Sequence, residues 1–142
     1  MDQKYIVKTE IDINAPTAKV WNALTNPHII KQYMFGSEVI SDWKKGSTIL
    51  WKGVWKGKKY EDKGVILDIE YEQKLQYTHF SPLGGKPDVP ENYNTVTFTL
   101  AKKDKCTELL LSQDNNASEE ARDHSKQMWD TMLESLKKIL EK

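Results

Sequence analysis

The spacing of hydrophobic residues changes along the chain, and it is most regular in the C-terminal segment 116–142. Apolar residues recur there at helical spacing along one face: Ala121, Met128, Trp129, Met132, Leu133, Leu136, Ile139 and Leu140. Asn116 or Ser118 is placed to cap this helix, and Glu119 and Glu120 suit its positive end. The pattern predicts one amphipathic helix of about 36 Å.

The N-terminal part of the chain predicts one strand followed by two short helices. Apolar and polar residues alternate over 5–13, as in a half-buried strand. Pro16 breaks the alternation and suits the first turn of a helix. Pro27 repeats this signal, and Gly36 ends the second helix. The apolar face of the first helix consists of Val20, Trp21 and Leu24.

The middle of the chain predicts a run of antiparallel strands. Their alternating segments are 37–41, 47–55, 59–70, 75–80, 94–100 and 107–113. Within 59–70 we expect Val65, Leu67 and Ile69 to face the interior and Ile66 to face outward. The only long loop is 81–92, which is rich in Gly and Pro.

This order of elements predicts an α+β fold in a single domain, residues 1–142. A curved antiparallel sheet of about six to seven strands would wrap around the long C-terminal helix. Two short helices would follow the first strand. A helix laid on a bent sheet leaves space at one end, and such spaces are common binding sites.

Composition removes several classes of function. Lys and Arg together number 21, as do Asp and Glu, so the formal net charge is zero. Arg122 is the only arginine, which argues against specific recognition of nucleic acid. The single cysteine, Cys106, excludes an internal disulfide and fits a reducing compartment. With no long apolar run for a transmembrane segment, we expect a cytoplasmic protein.

Several short motifs, in order, resemble one superfamily. The motifs are Ala15-Pro16 with Val20-Trp21, Leu24 to Pro27, Gly64 to Ile69, Leu75 to Thr78, Thr107 to Leu109, and the ending around Trp129. Together they resemble the START-like or SRPBCC superfamily, with its helix-grip, Bet v 1-like fold. The nearest branch is named after the activator of Hsp90 ATPase. The resemblance implies this fold, but the superfamily includes carriers, cyclases, oxygenase domains and co-chaperones.

One departure from the family concerns the C-terminal helix. The family often has glycine before the tryptophan of this helix, whereas Met128 precedes Trp129 here. We expect Met128, Trp129 and Met132 to form the roof of a cavity that Met128 narrows.

The candidate cavity is lined mainly by aromatic and apolar side chains. Large aromatic rings offer flat apolar surface, although packing in an ordinary core is the alternative for each of them. His79 and Gln113 would orient a polar group of the ligand. For His79 the alternatives are a hydrogen-bonded interior histidine and a general acid or base. The predicted ligand-binding residues are Trp51, Trp55, Val65, Leu67, Tyr77, His79, Phe98, Leu111, Gln113, Met128, Trp129 and Met132.

Signatures of catalysis are missing from the sequence. We find no nucleophile elbow, no phosphate-binding glycine loop and no metal-ligand spacing, so no catalytic residue, metal or cofactor is predicted. The first hypothesis is therefore a non-enzymatic protein that binds a small hydrophobic or amphipathic molecule. A cyclase- or aromatase-like enzyme is an alternative that the resemblance implies.

A protein-interaction module related to co-chaperones is the other alternative. Lysines and tryptophans alternate in the hairpin Lys44–Lys63, which could bind an acidic partner. A solvated strand face with lysines that prevent aggregation explains the same pattern. The oligomeric state is left open between monomer and homodimer.

Overall fold

The structure is a computed structural model that describes residues 5–82 and 85–141, without the side chain of Trp55. Strands and helices follow one another in the predicted order, and a short 3-10 turn covers Pro90–Asn92. The elements are β1 (Val7–Ile13), α1 (Thr17–Thr25), α2 (Pro27–Tyr33), β2 (Glu38–Ser41), β3 (Thr48–Trp55), β4 (Lys58–Glu70), β5 (Lys74–His79), β6 (Asn94–Lys103), β7 (Cys106–Gln113) and α3 (Glu119–Leu140).

The described strands form one antiparallel sheet in the order β1-β7-β6-β5-β4-β3-β2. Strands β2 to β7 pair with their neighbours in sequence, as a meander of hairpins does. Strand β1 departs from this pattern, because it pairs with β7 from Val7 opposite Gln113 to Ile13 opposite Thr107. The predicted α+β class, with two short helices after the first strand and a long C-terminal helix on the sheet, is confirmed.

Helix α3 begins where a side chain can cap it. Ser118 Oγ accepts a hydrogen bond from the Ala121 N–H at 3.1 Å, so Ser118 rather than Asn116 is the cap. On the side toward β1, Thr9 Oγ1 donates to Asp130 Oδ1 at 2.6 Å. Lys137 Nζ donates to the Asp12 carbonyl at 2.8 Å. The buried stripe of α3 consists of Trp129, Met132, Leu133, Leu136 and Leu140.

The inner face of β4 is the one that carries Gly64, not the predicted one. Gly64 lies opposite buried Ile49 on β3. A Cβ atom on Gly64 would lie 1.7 Å from the Thr78 carbonyl oxygen, so only glycine allows this approach of β4 to β5. Ile66, two residues further on, shares this face and is fully buried, whereas Val65 and Leu67 are about 40% exposed. The register then shifts between Ile66 and Asp68, as in a β-bulge, which lets Ile69 pack against the core as well. The prediction that Val65 and Leu67 face the interior is wrong.

Candidate functional site

Five rings form a continuous array across the inner face of the sheet. His79 contacts Trp51 at 4.9 Å between ring centroids, and Trp51 contacts Tyr77 at 5.1 Å. Tyr77 contacts Phe98 at 6.2 Å, and Phe98 meets Trp129 of α3 edge to face at 5.8 Å. Such ring pairs contribute about 0.5–1.5 kcal/mol each beyond the area they bury.

Strand register places these rings together although they are distant in sequence. Residues on one strand alternate between faces, so Tyr77 and His79 share the inner face of β5. Phe98 lies opposite Leu75 on β5 and opposite Leu111 on β7. The five rings are all residues that the sequence predicted as ligand-binding, and the structure brings them into one array.

One end of the array is closed by a hydrogen-bonded amide network. The Trp129 indole N–H donates to Gln113 Oε1 at 2.5 Å, and Gln113 Nε2 donates to Asn116 Oδ1 at 3.3 Å. Buried Asn116 also accepts from Ser125 Oγ at 3.1 Å and donates to the Tyr5 carbonyl at 2.6 Å. Gln113 therefore fastens α3 to β7 with the group that was predicted to orient a ligand.

The other end of the array holds a carboxylate and an imidazole. His79 Nε2 lies 2.9 Å from Asp62 Oδ2, and the two side chains are 31% and 16% exposed. Asp62 lies opposite Trp51 in the β3–β4 ladder, which places its side chain against the array. In the described part of the chain, Asp62 Oδ1 is the buried side-chain atom that lacks a hydrogen-bond partner. The hydrogen-bonding groups at this end of the array are therefore incompletely satisfied.

The loop between β5 and β6 is held beside this carboxylate by polar and aromatic contacts. Lys63, next to Asp62, forms an ion pair with Asp88, and Tyr93 donates to Asp88 Oδ1 at 2.6 Å. These two hydrogen bonds lower the pKa of Asp88, and the bond to Asp88 raises the pKa of Lys63. Phe80 stacks on Tyr93 at 5.0 Å. The loop is thus closed onto the strand that carries Asp62.

A small cavity lies beneath α2. The predicted cavity, in contrast, was expected beneath the C-terminal helix. The volume of the observed cavity is about 10 Å³, room for about one water molecule. Tyr33 and Tyr77 both line it, and burial raises the pKa of each phenol. The Tyr33 hydroxyl donates to the Ala23 carbonyl at 2.8 Å. The lining residues are Leu24, Ile30, Tyr33, Met34, Val39, Trp43, Ile49, Trp51, Leu75, Tyr77 and Phe98.

The remaining predicted site residues are divided between core and surface. Leu111 and Met132 are buried in the core. Met128 is 38% exposed, so the expectation that it roofs a cavity is wrong. One residue of an α-helix turns by about 100°, and with Trp129 against the sheet its predecessor points away. The predicted role of Trp55 concerns a side chain outside the described residues.

The lysines of the hairpin Lys44–Lys63 do not form a single patch. Lys52 pairs with Glu61 at 3.8 Å, and Lys63 pairs with Asp88 in the loop between β5 and β6. Lys45 helps to lower the pKa of Asp68, although Lys74 contributes most to that shift. The lysines at the tip of the hairpin are Lys56, Lys58 and Lys59.

Two residues of the site were missed by sequence reasoning. Neither Asp62 nor Tyr33 is among the predicted site residues. The signal for Asp62 was that it shares a face with Gly64 and Ile66, but the alternation of Val65 and Leu67 had assigned that face to the outside. No sequence signal indicated the hydrogen bond that the Tyr33 hydroxyl makes.

Among the described residues, no group of three His, Cys, Asp or Glu side chains could hold a metal ion. None of the helices in this part of the chain has both the length and the apolar character needed to cross a bilayer.

The sheet order and the α3 packing define a helix-grip domain, and comparison with known proteins identifies the family. The family model "Activator of Hsp90 ATPase homolog 1-like protein" matches residues 14–141. The chain belongs to this family. No curated protein matches the chain in sequence.

Solved structures from three organisms show the same architecture. A protein from Cytophaga hutchinsonii is 59% identical to this chain, with a TM-score of 0.88 and coverage of 99% of this chain and 97% of that one. A protein from Mesorhizobium loti is 25% identical, with a TM-score of 0.78 and 96% coverage of both chains. The Aha1 dimer from Colwellia psychrerythraea is 21% identical, with a TM-score of 0.74 and 96% coverage of both.

Proposed function

We propose that this chain is a non-enzymatic binding domain for a small amphipathic molecule. The ligand binds at the end of the ring array where Asp62, His79 and Trp51 meet. The observation that carries this proposal is Asp62 Oδ1, a buried acceptor without a donor among the described residues. An unsatisfied buried oxygen costs about 1–3 kcal/mol, more when charged, so its retention needs an explanation. A donor supplied by a ligand provides one.

The surroundings of Asp62 define the chemistry of the ligand. A hydroxyl, amide or ammonium group is needed to donate to Oδ1. The rings of Trp51 and His79, edge to face at 4.9 Å, favour a flat apolar part next to this donor. The cavity beneath α2 has room for about one water molecule, so the body of the ligand lies at the rim of the array.

The test is a ligand screen with a matched pair of variants. Wild-type protein, Asp62→Asn and Glu61→Gln are compared by thermal shift and native mass spectrometry against aromatic amines, phenols and amphipathic amides. Glu61 precedes Asp62 on β4 but pairs with Lys52 at 3.8 Å on the other face of the sheet. We expect a ligand-induced rise in Tm for the wild type and for Glu61→Gln, and its loss in Asp62→Asn.

Two results would contradict the proposal. Ligands that bind equally well to Asp62→Asn and wild type would remove Asp62 from the site. A complete failure of donor-bearing ligands, together with a high-resolution structure showing a water molecule bound to Asp62 Oδ1, would make this oxygen a hydrated structural group.

Proton transfer is a second candidate function, and the pairing of Asp62 with His79 favours it. A carboxylate that accepts from Nε2–H leaves Nδ1 of a neutral imidazole as the basic nitrogen. Such pairing orients histidine as a general base in many enzymes. The measurement is deuterium exchange at the acidic C–H of a bound carbonyl compound, followed by NMR. Exchange that persists in His79→Gln would exclude this role.

A further inference from the structure

One end of the sheet brings together two turns that are distant in sequence. The turn between α2 and β2 meets the β3–β4 hairpin there, because Ser37 Oγ lies 2.5 Å from the Tyr60 hydroxyl. Tyr60 covers Gly53 across the hairpin, where a Cβ atom would lie 2.5 Å from the Tyr60 hydroxyl. Close packing of these residues fixes the two turns side by side. We call this end the apical tip and define it as residues 34–37 and 53–60.

Phe35 occupies an unusual backbone position at the apical tip. Helix α2 ends in a Schellman-type turn in which the Gly36 N–H donates to the Lys31 carbonyl at 3.0 Å. The preceding position in this motif is left-handed and is normally glycine. Phe35 holds it with φ 52° and is 60% exposed. Its side chain makes no ring contact with any residue that the structure describes.

The β3–β4 hairpin likewise has a residue other than glycine at a left-handed position. Lys56 and Gly57 have φ 49° and 81°, as in a two-residue type I′ turn, which favours Asn-Gly. Val54, just before the turn, is 61% exposed. Left-handed positions at the apical tip therefore carry a phenylalanine and a lysine where glycine or asparagine would be more stable.

Two left-handed residues outside the apical tip, Asn115 and Glu72, have side chains that hydrogen-bond within the protein. Asn115, with φ 56°, donates to the carbonyls of Glu91 at 2.7 Å and Tyr93 at 3.0 Å. Glu72, with φ 60°, accepts from Thr17 Oγ1 at 2.9 Å. Phe35 differs from both, which indicates that its exposed ring has a role outside the folded chain.

The charge at the apical tip has a single sign. Lys56, Lys58 and Lys59 fall within 53–60, and this segment contains no Asp or Glu. The next residue, Glu61, pairs with Lys52 at 3.8 Å. The apical tip thus carries two exposed apolar side chains and three lysines in a protein whose formal net charge is zero.

We propose that the apical tip docks on an anionic lipid surface. Phe35 and Val54 enter the headgroup region, and the three lysines lie against the acidic headgroups. A stable protein interface buries about 800 Å² per partner, which two separate apolar side chains do not supply. A bilayer takes up single protruding side chains. This proposal stands without the small-molecule site, because none of its residues belongs to that site.

The experiment is co-sedimentation of the full chain with vesicles of phosphatidylcholine containing 30% phosphatidylserine, beside vesicles of phosphatidylcholine alone. We expect binding to the acidic vesicles that weakens with added salt. Each lysine near such a surface contributes about fivefold to partitioning, so Lys58→Gln/Lys59→Gln should weaken it about 25-fold. Phe35→Gly should weaken it about tenfold or more, since a Phe side chain loses about 1.5–3 kcal/mol of burial.

The variants separate docking from folding. Glycine suits the left-handed position, so Phe35→Gly should keep or raise Tm while it loses vesicle binding. The controls lie at the opposite end of the sheet: Tyr71→Ser removes a 72% exposed ring, and Lys102→Gln/Lys105→Gln removes two exposed charges. Both controls should bind vesicles like the wild type. The proposal is overturned if the wild type ignores acidic vesicles, if the tip variants bind like the controls, or if the tip captures an acidic protein but no vesicle.

Discussion

The two ends of the ring array differ in how their polar groups are satisfied. At the Trp129 end, the side-chain groups of Gln113 and Asn116 bond to other groups of the chain. At the His79 end, Asp62 uses Oδ2, and no donor in the described part of the chain reaches Oδ1. Complete networks rigidify a fold, whereas incomplete ones cost stability and tend to mark function. The comparison indicates that the first end holds α3 in place and the second is available for binding.

The largest expected effect concerns Trp129, which joins the array to α3. Trp129→Ala should destabilise the protein by about 3–5 kcal/mol, because it removes a 95% buried ring and leaves a cavity between Phe98 and the helix. Urea unfolding followed by circular dichroism measures this loss. A loss below about 1 kcal/mol would mean that α3 is held mainly by its contacts with β1.

A smaller loss is expected from the amide that fastens this end. Gln113→Leu keeps the approximate volume but removes the acceptor of the Trp129 N–H and one donor to Asn116. We expect a destabilisation of about 1–3 kcal/mol, the usual cost of leaving a buried donor unpaired. Trp129→Phe in the Gln113→Leu background removes that donor and should recover part of the loss. If the two substitutions changed the free energy of unfolding additively, the Gln113 and Trp129 side chains would not be directly coupled.

At the His79 end of the array, a substitution should leave the free energy of unfolding unchanged or raise it. Asp62→Asn keeps the shape but replaces a carboxylate whose buried Oδ1 has no partner in residues 5–82 and 85–141. We expect a change between zero and a gain of about 1 kcal/mol in the free energy of unfolding. Chemical unfolding beside Glu61→Gln is the measurement. A loss comparable to that of Gln113→Leu would show that the two ends are equally structural.

The smallest effect concerns the loop that closes over the open end. The pKa of Asp88 is lowered from its ordinary value of 3.8 by its hydrogen bonds with Lys63 and Tyr93. Its contribution is therefore present above the unfolded-state pKa and is lost as the pH falls through the lower, folded-state value. Amide exchange in 85–93 should increase below pH 3.8 relative to that of the β6–β7 ladder. In Asp88→Asn this exchange should be fast at every pH.

Much of the fold followed from patterns that depend on local chemistry. The α3 stripe from Trp129 to Leu140 and the breaks at Pro16 and Pro27 are local signals, and the structure contains the helices that they predict. Strand alternation was less reliable in β4. There Val65, Leu67 and Ile69 alternate as a buried face would, but Ile66 is the buried residue, and the bulge after it brings Ile69 alone of the three against the core.

The site was less predictable because it depends on pairings across strands. Trp51, Tyr77 and Phe98 are apolar and were readily proposed, whereas Asp62 acquires its meaning only from His79 on the neighbouring strand. An isolated glycine in a strand can signal a close backbone approach, and applying this to Gly64 would have placed Ile66 on the inner face in place of Val65 and Leu67. The hydrogen bond that Gln113 accepts from the Trp129 N–H depends on the rotamer of Trp129, which no sequence pattern specifies.

The position of β1 has a consequence for the order in which the protein assembles. Val7 pairs with Gln113, so β1, which precedes the other strands of this sheet in the sequence, must wait for β7 before it gains a partner. During translation β1 stays unpaired while more than a hundred residues are added, and closing that contact is entropically slow. The hairpins from β2 to β7 can form as they emerge. Completion of the sheet by β1 is therefore a late step, in which the two ends of the chain meet.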